Sequence, residues 1–213
     1  MTDLSALGRQ AVTLHRQGRL AEAERLYREI LSHDSRVFPA LYLLATLRLA
    51  QGDSAEAVTL LERALAVNAG DPAAWMHFGL ALQGAQRFGD ALSAHARALQ
   101  LQPDLPAARL GRGAALRALG RSAEALADYE AALAADSKNP DAWCGRGALL
   151  RKLGRTDEAL ESFSLAIALA PDFAEALQNR GELLCDVKKD YAAARADLDR
   201  VVVRLAVELR AGE

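Results

Sequence analysis

Apolar residues in this chain recur at helical spacing, and turn signals interrupt them at short, regular intervals. In WCGRGALLRKLGRTDEAL, residues 143–160, Leu149, Leu150 and Leu153 continue an apolar helical face begun by Trp143. Gly154 follows and can take the left-handed conformation that closes a helix end. A second helix is predicted from near Asp157, with Ala159, Phe163, Ala166 and Ile167 at helical spacing, and Pro171 stops it. Asp71-Pro72 and Asn139-Pro140 place a side-chain acceptor at the cap and proline at the first helical position of further helices.

The pattern repeats. Shifting by 34 residues aligns Trp143 with Arg109, Trp75, Leu41 and Leu7 upstream and with Leu177 downstream. Ala11, Ala45, Gly79, Gly113, Gly147 and Gly181 form one column of small residues; Ala23, Ala57, Ala91, Ala125 and Ala159 form a second. Gly18, Gly52, Gly120 and Gly154 form a third, with Gln86 in place of the third copy's glycine. Six copies result: 4–37, 38–71, 72–105, 106–139, 140–173 and 174–206, followed by a tail at 207–213. The sixth copy needs one extra residue within CDVKKDY to bring Ala194, Leu198, Val201 and Val202 into phase.

In the fifth copy Trp143, Gly147, Leu150, Gly154, Ala159, Phe163, Ala166 and Pro171 stand in the order typical of the tetratricopeptide repeat, which this sequence resembles over roughly residues 4–205. The resemblance implies an all-α fold: a right-handed superhelical solenoid of six helix pairs, here with an extended C-terminal helix. It also implies a concave groove lined by the first helix of each copy. Carried over residue by residue, the candidate groove side chains are Tyr42, Leu43 and Thr46; Met76, His77 and Leu80; Leu110 and Arg117; Cys144, Arg151 and Lys152; and Asn179. The first copy adds Arg9, Val12, His15 and Arg16. Tyr42, Met76, Leu80 and Leu110 are expected to form a continuous apolar strip suited to an amphipathic helix or an extended peptide; the same residues could instead pack on neighbouring helices. Two known family activities do not fit. The lysine–asparagine clamp for a C-terminal carboxylate falls on pairs such as Gly8/Val12 and Tyr42/Thr46, which cannot form it. Of the ladder of groove asparagines in O-linked N-acetylglucosamine transferases, only Asn179 is present.

Charge and composition narrow the function. The 213 residues carry a formal charge of −2, with no basic face to suggest nucleic acid. No run of about 18 apolar residues suggests a membrane span, and the start MTDLSALGRQ does not read as a signal peptide. Two cysteines, Cys144 and Cys185, fit a reducing, cytoplasmic setting. His15, His33, His77 and His95 lack metal-ligand spacing, and no nucleophile–base arrangement is evident, so no catalytic residue, metal or cofactor is expected. Arg112, Arg146 and Arg180 recur every 34 residues and read as a structural column bridging neighbouring copies, with an anion site as the alternative.

Two glycine columns need separate explanations, since each mid-helix glycine costs about 1 kcal/mol against alanine. Gly147 and Ala159 are expected where the paired helices cross and need close approach. Gly111 and Gly145, two places earlier, are expected to face the groove, either as drift on a tolerant surface or as a smooth floor for a ligand backbone. At the end of the sixth copy and past it, Leu205 and Leu209 continue an apolar stripe with nothing in phase to cover it, which predicts a weak homodimer or a docked domain. The leading reading is a non-enzymatic scaffold that binds a peptide or amphipathic helix of another protein. The alternative is the substrate-recognition arm of a larger protein-modifying enzyme, because GRLAEAERLYREIL resembles N-terminal repeats of bacterial proteins that continue into glycosyltransferase or sulfotransferase domains.

Overall fold

The computed structural model describes residues 3–211, with the side chains of Leu205 and residues 207–211 outside the description. Among the described residues the chain is all-α. Its helices are α1 Leu4–Arg16, α2 Leu20–His33, α3 Phe38–Ala50, α4 Ser54–Val67, α5 Pro72–Gly84, α6 Phe88–Leu101, α7 Pro106–Ala118, α8 Ser122–Ala135, α9 Pro140–Lys152, α10 Thr156–Leu169, α11 Ala174–Leu183 and α12 Tyr191–Ala211. The chain forms two compact units, residues 1–115 and 116–213. In the first, α1 packs on α2, α3 on α4 and α5 on α6, and each pair is followed by the next first helix, α3 on α2 and α5 on α4. In the second, α9 packs on both α8 and α10, and α11 on both α10 and α12.

The turns inside the pairs show why glycine recurs. Gly18, Gly52, Gly120 and Gly154 have φ between 74° and 80°. The residue after each donates its N–H to the carbonyl five positions back, as Arg155 does to Leu150 at 2.9 Å, closing the helix end. Gln86 holds the same place at φ 59° and carries the left-handed penalty of about 1–2 kcal/mol that glycine avoids. First helices begin as their caps dictate: the Asp71 carboxylate accepts from Ala74 N–H at 2.8 Å and the Asn139 amide oxygen from Ala142 N–H at 3.0 Å. Trp75 and Trp143 donate their indole N–H groups to the Ala69 and Ser137 carbonyls of the loop before, tying each first helix to the preceding turn.

The core is built from the recurring columns. Ala11, Ala45, Ala23, Ala57, Ala91, Ala125 and Ala159 are fully buried. A Cβ built on Gly147 would lie 2.7 Å from Phe163 Cε1, so this glycine lets α9 and α10 approach. In the sixth copy α11 ends in a π-helical turn, Leu184–Lys188, closed by Lys189 at φ 58°. α12 then runs for 21 residues, against 14 in each of α2, α4, α6, α8 and α10. Leu209 and Leu205, expected on an association face, have side chains outside the described residues. No helix among the described residues is long and apolar enough to cross a membrane.

The expectation for Gly111 and Gly145 is overturned. Both are buried. A Cβ on Gly145 would stand 2.4 Å from the Tyr129 ring, and one on Gly111 would stand 2.3 Å from His95 Cε1. Each glycine therefore faces the preceding second helix, not open groove. His95 is held between Gly79 of α5 and Gly111 of α7, while Tyr129 of α8 lies against Gly145 of α9. The missing side chains make room for a ring from the neighbouring copy.

Two members of the arginine column, Arg146 and Arg180, link copies. Arg146 on α9 donates to Ser162 Oγ on α10 at 2.7 Å and lies 3.6 Å from Glu130 on α8. Arg180 on α11 forms a bidentate pair with Asp197 on α12, at 2.8 and 2.7 Å, and donates to Ser164 Oγ on α10 at 3.0 Å. Asp197 is buried, and the two-point pairing compensates its desolvation.

Candidate partner-binding site

In the first unit the exposed sides of the first helices frame an open cavity of about 700 Å³ between α1, α2 and α3. Leu4, Gly8 and Val12 of α1, Ile30 of α2, Val37 at the cap of α3 and Leu43 of α3 supply its apolar walls. Gly8 has nothing within 4 Å of where its Cβ would stand, so its lack of a side chain deepens the recess. Arg9 and Arg16 lie on the same lining, two helical turns apart, and no carboxylate shares it. Tyr27 closes the floor, with its hydroxyl 3.2 Å from His15 Nδ1. An apolar recess with a few polar groups at its edge is the usual form of a binding site.

Beside the cavity Tyr42 stacks on Phe38, with centroids 5.9 Å apart, and meets His77 edge-on at 5.4 Å. His77 Nδ1 lies 2.9 Å from the Ala73 carbonyl and 3.1 Å from Tyr42 Oη. A carbonyl only accepts, so hydrogen bonding assigns the proton to Nδ1. Burial lowers the His77 pKa against the opposing pull of Ala73 and Asp71, and burial raises that of Tyr42. The pair is therefore a neutral, half-buried aromatic step joining α3 to α5.

The remaining expected groove residues divide. Leu43 lines the cavity. The Thr46 hydroxyl is spent on the Leu43 carbonyl at 2.9 Å. Met76 is half-buried and packs against the buried cluster of Ala98, Leu99 and Ala108. Leu80 is exposed and Leu110 half-buried. In the second unit Arg151 donates to Glu182 at 2.8 Å and to Asn179 Oδ1 at 3.2 Å, so those side chains are engaged with one another. Arg117 lies 3.8 Å from Glu175, and Lys152 is exposed. Cys144, expected on the groove wall, is instead buried; its burial pushes the thiol up to about 12, so it is not a ready thiolate. The cavity itself draws on Leu4, Gly8, Ile30 and Val37, none of them among the groove candidates. The signal in the sequence was the carry-over of Arg9, Val12 and Arg16 onto the first copy, all of which line the cavity.

Family models of the tetratricopeptide repeat match residues 14–76 and, in overlapping segments, 78–140, 110–172 and 144–207. Among solved structures, a tetratricopeptide repeat protein from Parabacteroides merdae ATCC 43184 is similar at TM-score 0.76 and 19% identity, over 94% of this chain and 78% of that one. The pilF protein of Pseudomonas aeruginosa is similar at TM-score 0.75 and 19% identity, over 91% and 88%. YrrB, described as a protein of this repeat type with an unusual peptide-binding site, is similar at TM-score 0.60 and 19% identity, over 83% and 90%. At these identities the likeness is one of fold. A comparison with curated proteins finds no match.

Proposed function

Because this chain belongs to the tetratricopeptide repeat family, whose members are protein-interaction scaffolds, we propose that it binds a peptide or amphipathic helix of a partner protein on the first-helix face of residues 1–115. The observation that supports this most is the recess walled by Leu4, Gly8, Val12, Ile30 and Leu43. It is largely apolar and open, and Leu43 on its wall is next in sequence to Tyr42 of the Tyr42–His77 step. An amphipathic segment laid there removes apolar surface from water at roughly 25 cal/mol per Å². YrrB's peptide-binding site, on a similar fold, agrees with this reading without identifying the ligand.

The test is a peptide-display selection against the full chain, counter-screened with a Val12→Glu/Leu43→Glu variant. Enriched peptides should lose binding to the variant while its helical circular dichroism stays as in the wild type. Peptides that bind both proteins equally, or that crosslink to second-helix residues such as Ala55 and Thr59, would overturn the reading.

A further inference from the structure

The second helices carry two columns that each following first helix covers. The first is Tyr27, Leu61, His95, Tyr129 and Phe163; the second is Leu31, Leu65, Leu99, Leu133 and Ile167. All are buried except Leu31, which is half-buried. After the one-residue insertion at the π-helical turn, the sixth copy places Leu198 and Val202 in these columns, and they are 37% and 64% exposed. Tyr191, on the same stripe, is also exposed. This face of α12 has the chemistry of a buried layer, with no helix of the described residues upon it.

The preceding copies indicate what fits there. Each first helix in the second unit brings an arginine back to the helix it covers: Arg146 to Glu130, and Arg180 to Ser164. Asp199 occupies that acceptor place on α12 in the same register, and its side chain is exposed, with Arg195 of its own helix 3.5 Å away. A small residue, Ala142 or Ala176, stands four positions before each arginine and is fully buried.

We propose that α12 docks an amphipathic helix of another protein, one that mimics a first helix of the repeat: a small residue, an arginine four positions later to meet Asp199, and an apolar side chain over Leu198 and Val202. A second copy's α1 matches this poorly. In register with Ala142, Gly145, Arg146 and Leu149 it presents Ala6, Arg9, Gln10 and Thr13, and all four are exposed, so its outer face is polar. This surface is separate from the cavity near α1, and the proposal does not rest on the groove reading.

The probe is a fluorescein-labelled peptide of residues 139–154 carrying Cys144→Ser and Gly145→Leu. The leucine answers the smaller Leu198, where Gly145 answers Tyr129. With the full chain, anisotropy should show saturable one-to-one binding. Val202→Glu in the chain, Asp199→Arg in the chain, or Arg146→Glu in the peptide should each weaken it about tenfold. Combining Asp199→Arg in the chain with Arg146→Glu in the peptide should restore most of the loss, which a merely unfolded variant would not do. Leu43→Glu in the chain should bind the probe as the wild type does, which separates this surface from the groove. Absence of saturable binding, indifference to Val202→Glu, or no recovery on charge exchange would overturn the proposal. So would a concentration-dependent mass that Val202→Glu abolishes, since the face would then be closed by a second copy.

Discussion

The fifth and sixth copies sit in one compact unit and answer the same packing problem differently. In the fifth, Phe163 is fully buried under α11 and Gly147 yields it room from the side of α9. In the sixth, a Cβ built on Gly181 would stand a looser 3.1 Å from Leu198 Cγ, and Leu198 keeps part of its surface in solvent. The polar partner changes too. Arg146 meets a neutral Ser162, whereas Arg180 meets the buried carboxylate of Asp197 in a two-point ion pair. The difference teaches that burial of a repeat column is decided by the helix that follows it. Where a described helix follows, glycine and an aromatic ring interlock; over α12, where none of the described residues does, the column holds a smaller residue and an ion pair helps to hold the helix.

The largest expected effect tests this contrast directly. Gly147→Leu should cost about 3 kcal/mol, because the added side chain meets a ring with no free surface to move into. Gly181→Leu should cost about 1 kcal/mol, because Leu198 can shift toward solvent. Chemical denaturation of the two variants measures the gap, and equal losses would break the comparison.

Acid should separate the column's interior from its end by nearly as much. Burial, with Arg112 adding to it, lowers the His95 pKa to about 4. The neutral form is favoured in the fold, so the stability is fully present above an unfolded value near 6.5 and is lost as the pH falls toward 4. The loss amounts to about 3 kcal/mol. Wild type minus His95→Leu, measured by denaturation between pH 7 and 4, should show that slope. In contrast, Leu198→His should titrate near 6.5 in an NMR titration, because its site is open. A similar depression at both sites would contradict the role assigned to the following helix.

Gly145→Ala should be destabilising by about 1–2 kcal/mol, since its Cβ enters the space of the Tyr129 ring. Adding Tyr129→Leu should recover part of that loss, and a double-mutant cycle reads the coupling. The smallest effect is expected at Val202→Glu, within about 0.5 kcal/mol of wild type in a thermal melt, because the site is exposed. A larger loss would mean that α12 is already covered in solution.

The 34-residue period, the paired helices and their caps were legible because each follows from local chemistry. Asp71 and Asn139 cap where they stand, and Gly154 alone among its neighbours takes φ near 74° without strain. Helical spacing also identified which alanines would be buried. The inward side of the first helices was less legible. Met76 and Leu43 have similar apolar character in the sequence and both are half-buried against core clusters, yet Leu43 also lines the cavity. Cys144 read as groove wall and is buried beneath it.

The amino-acid sequence by itself determined the repeat, the helix boundaries and the small-residue crossings, because hydrogen bonding, φ preferences and apolar periodicity act over a few residues. Only the tertiary structure decided what Gly111 and Gly145 are for. Their reason lies in His95 and Tyr129, 16 residues earlier on another helix, and no local signal records which ring a missing side chain makes room for. The same holds for Leu198 and Val202. Their sequence repeats an interior pattern, and whether that pattern is covered depends on the presence of a neighbouring helix in space.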